Sequence, residues 1–257
     1  FLALPEQGLW VVADGMGGHE AGEVASDIVR QTLEQKPNQP LPDAIQAAHR
    51  AVLDAVARGV GAEGMGSTVV ALRSNLEQYQ IAWVGDSRSY LYSRSTGELE
   101  LLTRDHSYVQ MLLESGAIAA NEAHTHPDRN IITQCLGSQE LDAVTVDHVE
   151  RQWQEQQWVL LCSDGLTDEL SDEDIAQILK NCKTPREATR ELMQAALGAG
   201  GRDNITLQII AAPKHSPSLL AKLSHWVPVF SHSRRLDTFI YLAALGILVA
   251  LLYWTLY

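Results

Sequence analysis

The chain has 257 residues, 46% of them hydrophobic, which is enough to fill a substantial core and excludes a disordered polypeptide. Its formal charge is −13; Lys214, Lys222, Arg234 and Arg235 outweigh Asp237 after Ala212, so the tail is +3 and the remainder −16. A body this acidic excludes nucleic-acid binding through a broad basic face, because phosphate contacts need Lys and Arg.

The chain begins on Phe1, not Met, with no charged-then-apolar signal segment ahead of the fold, so it is expected to start inside a longer protein. Leu9 to Ala13 is a short apolar run of strand length, and it breaks on Asp14 followed by Gly15, Gly17 and Gly18. A carboxylate therefore stands at a strand end, where glycines let a main-chain carbonyl point the same way. That suits a hard cation with oxygen ligands. Taken alone, the motif also fits an ordinary turn or a phosphate-holding loop before a helix.

Glu20 to Gln35 carries Ala21, Val24, Ala25, Ile28, Val29 and Leu33 at helical spacing, and Leu41 to Ala57 repeats the pattern. Both read as amphipathic helices covering a sheet, with Pro37 after the first. Three short strands follow, Ser67 to Leu72, Gln80 to Val84 and Ser89 to Tyr92, and their succession predicts an antiparallel meander. Gly85-Asp86-Ser87-Arg88 sets a second carboxylate at a strand end. Tyr108 to Ser115 reads as a helix capped by Asp105 or Ser107. From Gly116 to Gln134 the texture is polar and irregular, and His124 and His126 there read as a surface segment more than as a metal pair.

Strands are expected again at Ala143 to Val149 and Trp158 to Cys162, the latter ending in Ser163-Asp164-Gly165-Leu166. Helices are expected at Asp172 to Asn181 and Pro185 to Leu197. Gly198 to Gly201 then turns the chain into Arg202-Asp203-Asn204 and a last strand, Ile205 to Ala211. The fold class this implies is α+β: two antiparallel β-sheets packed as a sandwich with helices on both outer faces, a four-layer α-β-β-α domain over residues 1–212. Cys135, Cys162 and Cys182 have no metal-like spacing and read as reduced thiols of a cytosolic domain.

Asp14, Asp86, Asp164 and Asp203 share one situation, a strand end beside Gly, Ser or Asn. Any one alone is a turn residue; four suggest that sheet ends converge on one acidic pocket. Packed carboxylates repel unless a cation neutralises them, so the set predicts bound divalent metal.

At this point the sequence resembles a known family. Val12-Ala13-Asp14-Gly15-Met16-Gly17-Gly18-His19, Gly64-Met65-Gly66-Ser67-Thr68, Val84-Gly85-Asp86-Ser87-Arg88, Leu102 to Ser107, Ser163-Asp164-Gly165-Leu166 and Asp203-Asn204-Ile205-Thr206 match, in order, the motifs of the bacterial metal-dependent protein serine/threonine phosphatases (PPM, type 2C). The resemblance covers about residues 1 to 211. It implies two Mn²⁺ or Mg²⁺ ions, with Asp14 bridging them, the Gly15 carbonyl on one, and Asp164 and Asp203 on the other. A third, weaker ion would use Asp86 and Asp164, and the segment from about Gly116 to Leu136 would be the family's flap. The implied chemistry is hydrolysis of phosphoserine and phosphothreonine in proteins by a metal-activated water, with His19 or a metal-bound water as candidate donor of the leaving-group proton.

One departure lies at the front. Family members carry an Arg that grips phosphate and a Glu-Asp pair before the first Asp-Gly strand, whereas Phe1 to Gly8 contains only Glu6 and no Arg. The domain is therefore expected to lack its N-terminal strand, and the chain as given to hydrolyse phosphate esters poorly. The alternative function is a catalytically impaired pseudophosphatase serving as a membrane-anchored phosphoprotein-binding scaffold. A nucleotide-binding reading of Gly15 to Gly18 lacks the Lys and Ser/Thr of a P-loop.

After a linker at 213–237, Phe239 to Tyr257 runs 19 residues without a charge, which as a helix spans roughly 30 Å. A transmembrane helix is expected at 238–257. Arg234 and Arg235 on its near side place the catalytic domain in the cytoplasm, as a single-pass inner-membrane protein. The expected partners are phosphorylated proteins, a cognate bacterial Ser/Thr kinase and the membrane, with no nucleic acid.

Overall fold

The computed structural model describes residues 1–123 and 125–213, which fall within one compact unit. The first elements are β1 (Leu2–Leu4), a 3₁₀ turn at Pro5–Gln7, β2 (Leu9–Val12), β3 (Gly15–Met16), α1 (His19–Gln35) and α2 (Leu41–Ala57). There follow β4 (Gly66–Ser67), β5 (Val69–Ser74), β6 (Gln78–Val84), β7 (Arg88–Ser93) and β8 (Glu98–Leu101). Next come α3 (Tyr108–Glu114), α4 (Ala120–Ala123), β9 (Asp147–Gln152) and β10 (Gln157–Cys162). The last are α5 (Asp164–Thr167), α6 (Asp172–Asn181), α7 (Pro185–Ala199) and β11 (Leu207–Ala211).

The strands form a five-stranded sheet in the order β1-β2-β5-β6-β9 and a four-stranded sheet in the order β11-β10-β7-β8, antiparallel throughout. Strand alternation then sorts the core into three layers. On β5, Val69 and Ala71 face α1 and α2, while Val70 and Leu72 face the other sheet. On β10, Val159 and Leu161 meet them from the opposite side, and Trp158, Leu160 and Cys162 face α6 and α7. These central strands are buried on both faces, which is why they read as unbroken apolar runs. The expected four-layer sandwich is what forms.

Where elements are well punctuated, the expected bounds hold. Proline at the first turn starts α2 at Leu41, and a capping box between Ser171 and Asp174 starts α6. Ser107, not Asp105, caps α3, accepting from the Gln110 N–H at 3.2 Å.

Several expectations need correction. The meander fails at its third strand: β5 and β6 pair, but β7 crosses to the other sheet and pairs with β10 and β8. Since strands in both sheets are covered on two faces, the apolar pattern of β7 is the same for either assignment. The strand expected at Ser67 to Leu72 is broken at Thr68, whose N–H leaves the ladder for Asp14 O at 2.8 Å. The strand expected at Ala143 to Val149 begins only at Asp147. Val144 is buried against α2, and its carbonyl accepts from Gln46, so this segment is tied down by a side chain. Strands β1 and β8 are not among the expected elements; β8 alternates Glu and Leu, but it is a largely exposed edge strand of only four residues.

Among the described residues no helix is long and apolar enough to cross a membrane. The expected span at 238–257, the linker beyond Pro213 and His124 lie outside the described residues.

Candidate metal centre

Asp14 follows β2 and is clamped through its backbone. Its N–H donates to Thr68 Oγ1 at 3.3 Å, and its carbonyl accepts from Thr68 N at 2.8 Å and from Ser67 Oγ at 3.0 Å. Thr68 is in turn bonded to Ser87 Oγ at 2.7 Å, beside Asp86, so the strand ends carrying two of the carboxylates are joined by buried hydroxyls. Gly15 is required for a different reason. A Cβ there would lie 1.8 Å from Gly22 O, because the Asp14-Gly15 turn rests directly on α1. Gly22 was not singled out from the sequence; the signal available was a glycine interrupting an otherwise regular helical pattern.

The Gly85-Asp86 turn is held from its other side by His106, whose ring Nδ1 accepts from Gly85 N at 3.2 Å and whose backbone N–H donates to Gly85 O at 2.9 Å. Arg88 grips Asp105 side-on, Nε and Nη2 donating at 3.0 and 2.7 Å, which fixes the segment that supplies His106.

On the second sheet, Ser163 and Asp164 follow β10. Ser163 Oγ donates to Asn204 O at 3.1 Å and accepts from Thr206 N at 3.0 Å, stitching the Asp164 turn to the Asp203-Asn204 loop. A Cβ on Gly165 would lie 2.4 Å from Asn204 O, so this approach too needs a glycine. The Asp203 loop is anchored by Glu169, another residue not foreseen. Its side chain is only 2% exposed and accepts from Arg202 N, Nε and Nη2 at 3.1, 2.9 and 3.1 Å. Glu169 is thus a positioning residue for Asp203, and Glu169→Gln is expected to raise the Mn²⁺ concentration needed for half-activation about tenfold. The melting temperature of the metal-free protein should barely move. An unchanged metal requirement would show that Arg202 is held adequately without the charge.

Asp14, Asp86, Asp164 and Asp203, with Thr68 and Asn130, line one cavity of about 240 Å³. The four carboxylates predicted from separate parts of the chain are therefore brought together, and Gly15 lines the same cavity. His19 opens α1 at the edge of the Gly-rich turn; its side chain lies outside the described part of the structure. A second cavity of about 390 Å³ shares Asp86, Asn130 and Asp164, and runs between the 116–134 segment and α5, where Arg129 reaches Asp168 at 3.7 Å.

Burial, and then the neighbouring Asp164, pushes the Asp14 carboxyl up to about 8. Burial with Asp164 and Asp105 pushes Asp86 up to about 7. Burial also raises Asp164, and Asp14 and Asp164 each oppose ionisation of the other. As they stand, no three His, Cys, Asp or Glu side chains among the described residues are arranged to hold a single ion. The residues nevertheless fit divalent cations: Asp164 Oδ1 is buried without a hydrogen-bond partner among the described residues, and the set is all oxygen and strongly self-repelling.

This has a consequence for stability. Asp14 and Asp86 have folded-state pKa values above the ordinary 3.8, so below that value their contribution is fully present, and it is lost as pH rises through about 7 and 8. Metal-free protein should therefore melt progressively lower between pH 5 and 9 as these carboxylates ionise against one another, and saturating Mn²⁺ should flatten the trend. A metal-free melting temperature that rises over this window would contradict the proposed repulsion.

Comparison with known proteins identifies the family. The family described as "Protein phosphatase 2C" matches residues 3–199. The serine/threonine protein phosphatase PstP of Mycobacterium tuberculosis is 38% identical over 209 residues, covering 78% of this chain and 40% of that protein, so the chain spans about 40% of the length of this relative. The serine/threonine phosphatase stp of Listeria monocytogenes is 35% identical over 216 residues, covering 79% of this chain and 84% of that protein. Among solved structures, the catalytic domain of PstP in complex with two manganese ions superimposes with a TM-score of 0.69 at 35% identity, covering 78% of this chain and 86% of that one.

Proposed function

The chain belongs to the protein phosphatase 2C family, and on that premise we propose that it removes phosphate from serine and threonine side chains of proteins, with Mn²⁺ or Mg²⁺ held at the Asp14–Asp86–Asp164–Asp203 centre. The observation that carries this reading is the convergence of four carboxylates, from the loop ends of both sheets, on one 240 Å³ cavity. It also favours an enzyme over the scaffold alternative, which has no need of so costly an acidic cluster.

Asp14, which shares the cavity with carboxylates following strands of the other sheet, would bridge the two ions, with the Gly15 carbonyl on one and Asp164 and Asp203 on the other. Asp86, with Asp164, would hold a weaker third. When bound, the divalent ions supply positive charge that lowers the pKa of water and stabilises phosphoryl oxygens. The chain's own contribution is rigidity: the Thr68–Ser87, Ser163–Asn204 and Glu169–Arg202 bonds hold the carboxylates before any ion arrives. The test is a Mn²⁺ titration with a phosphopeptide, where release of phosphate must rise with metal and vanish on chelation.

His19 is the candidate donor of the proton that the leaving serine or threonine oxygen takes up. If so, His19→Gln should slow a phosphopeptide at least tenfold and leave an aryl phosphate, whose leaving group needs no proton, nearly unaffected. Equal losses on both substrates would remove that role.

The tail supports a location. The uncharged run Phe239–Tyr257 behind Arg234 and Arg235 has the length and flanking charge of a membrane anchor with a cytoplasmic catalytic domain, facing phosphoproteins of a bacterial Ser/Thr kinase. The domain plan is then phosphatase at 1–212, juxtamembrane linker at 213–237 and anchor at 238–257. Carbonate-resistant recovery of the full chain in the inner-membrane fraction, lost on deletion of 238–257, is the expected result; full extraction by carbonate would reject the anchor.

A further inference from the structure

His49 lies in α2, wholly buried, and both of its ring nitrogens are engaged. Nδ1 accepts from Gly137 N at 3.1 Å, and Nε2 faces the Leu141 carbonyl at 3.2 Å. An acceptor at Nδ1 and a carbonyl opposite Nε2 together select one form of the ring, the neutral tautomer with its proton on Nε2. Burial acts in the same direction, holding the His49 pKa below the ordinary 6.5. Gln46 and Val52 stand about one turn to either side on the same face of α2. Gln46 donates to the Val144 carbonyl, and a Cβ on Gly137 would lie 2.4 Å from Val52 Cγ1. Helix α2 therefore fastens the backbone from Gly137 to Val144, and His49 holds it at two points. Burying an imidazole costs desolvation that a leucine would not, so its place here depends on those two bonds.

The segment so fastened is tied to two carboxylate turns of the five-stranded sheet. Leu136 N donates to Ser67 O at 2.8 Å, and Ser67 N donates to Leu136 O at 3.0 Å. Ser67 then donates through Oγ to the Asp14 carbonyl at 3.0 Å, and it pairs with Gly15 across β3 and β4. Slightly earlier in the chain, Thr133 N donates to His106 O at 2.7 Å, and His106 is the residue that holds the Gly85-Asp86 turn. Asn130 and Ile132 line the carboxylate cavity itself. From His49 to Asp14 there are thus only two intermediaries, the Gly137-Leu136 backbone and Ser67.

We propose that His49 is a positioning residue of the metal centre: its bond to Gly137 N fixes the Leu136–Ser67 bridge and, through Ser67, the backbone of Asp14. The inference rests on the phosphatase reading of the four carboxylates. It assigns the role to Nδ1 alone, since the Leu141 bond leads away from Asp14.

Substitution separates the two nitrogens. His49→Asn sets a carbonyl oxygen one bond beyond Cγ, where Nδ1 stands, and still accepts from Gly137 N, but it falls short of Leu141. His49→Gln sets an amide nitrogen at the reach of Nε2 and still donates to Leu141 O, with no acceptor for Gly137. His49→Leu keeps the bulk and loses both bonds. A histidine that only fills and satisfies the core would make the first two variants equivalent, because each loses one buried hydrogen bond.

The test is calorimetric titration of the metal-stripped full chain with Mn²⁺ at pH 7, well below the melting temperature, with thermal denaturation of the same samples. All three variants should melt below the parent. His49→Gln and His49→Leu should bind Mn²⁺ about tenfold more weakly, the scale of a lost supporting partner, whereas His49→Asn should stay within about twofold of the parent. Should His49→Leu fail to fold, the comparison of His49→Asn with His49→Gln carries the test. A parent chain that takes up no Mn²⁺ would overturn the phosphatase reading and this inference with it. If the parent binds Mn²⁺ and His49→Asn binds it no more tightly than His49→Gln, the phosphatase reading stands and the role of His49 is overturned.

Discussion

Asp164→Asn is expected to lower metal-dependent release of phosphate from a phosphopeptide by at least ~100-fold, the scale on which loss of a ligand exceeds loss of its supporting partners. The reason is its place among the carboxylates. Asp164 raises the pKa of Asp14 and of Asp86, and is itself raised by burial, with Asp168 and Asp203 adding to it. It also carries the one buried carboxylate oxygen at the centre that lacks a hydrogen-bond partner among the described residues. The same substitution should act with opposite sign on the metal-free protein. Removing a self-repelling carboxylate relieves the cluster, so at pH 8 the variant should melt at or above the parent temperature without Mn²⁺. With Mn²⁺ present the order should reverse, because the ligand-linked gain in stability is largely lost. This crossing separates a metal ligand from a residue whose loss merely damages the fold. A variant that melts lower under both conditions would mean that Asp164 is structural.

The second large effect is steric. In Gly15→Ala the new methyl would sit 1.8 Å from Gly22 O, and in Gly22→Ala it would sit 2.6 Å from Gly15 O. The obstacle is backbone in both cases, so no side-chain rotation relieves it, and the Asp14 turn must lift from α1. A cost of about 3 kcal/mol or more is expected, or roughly 6–12 °C in melting temperature for a domain of this size. Activity should fall further than stability, because the turn that moves carries Asp14. Gly198→Ala is the control: this glycine lies in α7 with no atom within 4 Å of the added Cβ. It should be neutral, or stabilising by up to ~1 kcal/mol through helix propensity. Equal behaviour of Gly15→Ala and Gly198→Ala in thermal denaturation would refute the close approach.

The parts of this fold legible in the sequence are those fixed by local chemistry. Helix α2 is announced by Pro42 in its first turn and its apolar spacing, and α6 by Ser171 with Asp174. The Asp-Gly and Asp-Asn turns are visible because a carboxylate beside glycine or asparagine at the end of an apolar run is uncommon in four places at once. What was not legible depends on which surface meets which. Strand β7 shows the same pattern whether it pairs with β6 or β10, and only the crossing at Gly85, whose φ of +104° no ordinary residue adopts easily, sends it to the second sheet. Glu169 looks like any surface acid until folding lays Arg202 over it, and Gly22 looks like a weak point in a helix until Gly15 is found against it.

The site was legible in its ligands but not in its supports. The side chains expected at the centre are short and sit in recognisable turns, whereas Ser163 and His106 work through hydrogen bonds to backbone groups, and Ser87 through the Thr68 hydroxyl, all contributed by other motifs. Such partners cannot be paired from spacing alone, since the contacts join residues 19 to 41 positions apart.

Most direct of all is a calorimetric count of Mn²⁺ on the metal-stripped chain at pH 7. Gathered carboxylates of this kind should take up at least two ions per chain, with proton release as Asp14 and Asp86 ionise, and Asp164→Asn should lose at least one of them. A stoichiometry below two, or an isotherm that Asp164→Asn leaves unaltered, would contradict the assignment of Asp14, Asp164 and Asp203 to a paired-metal centre.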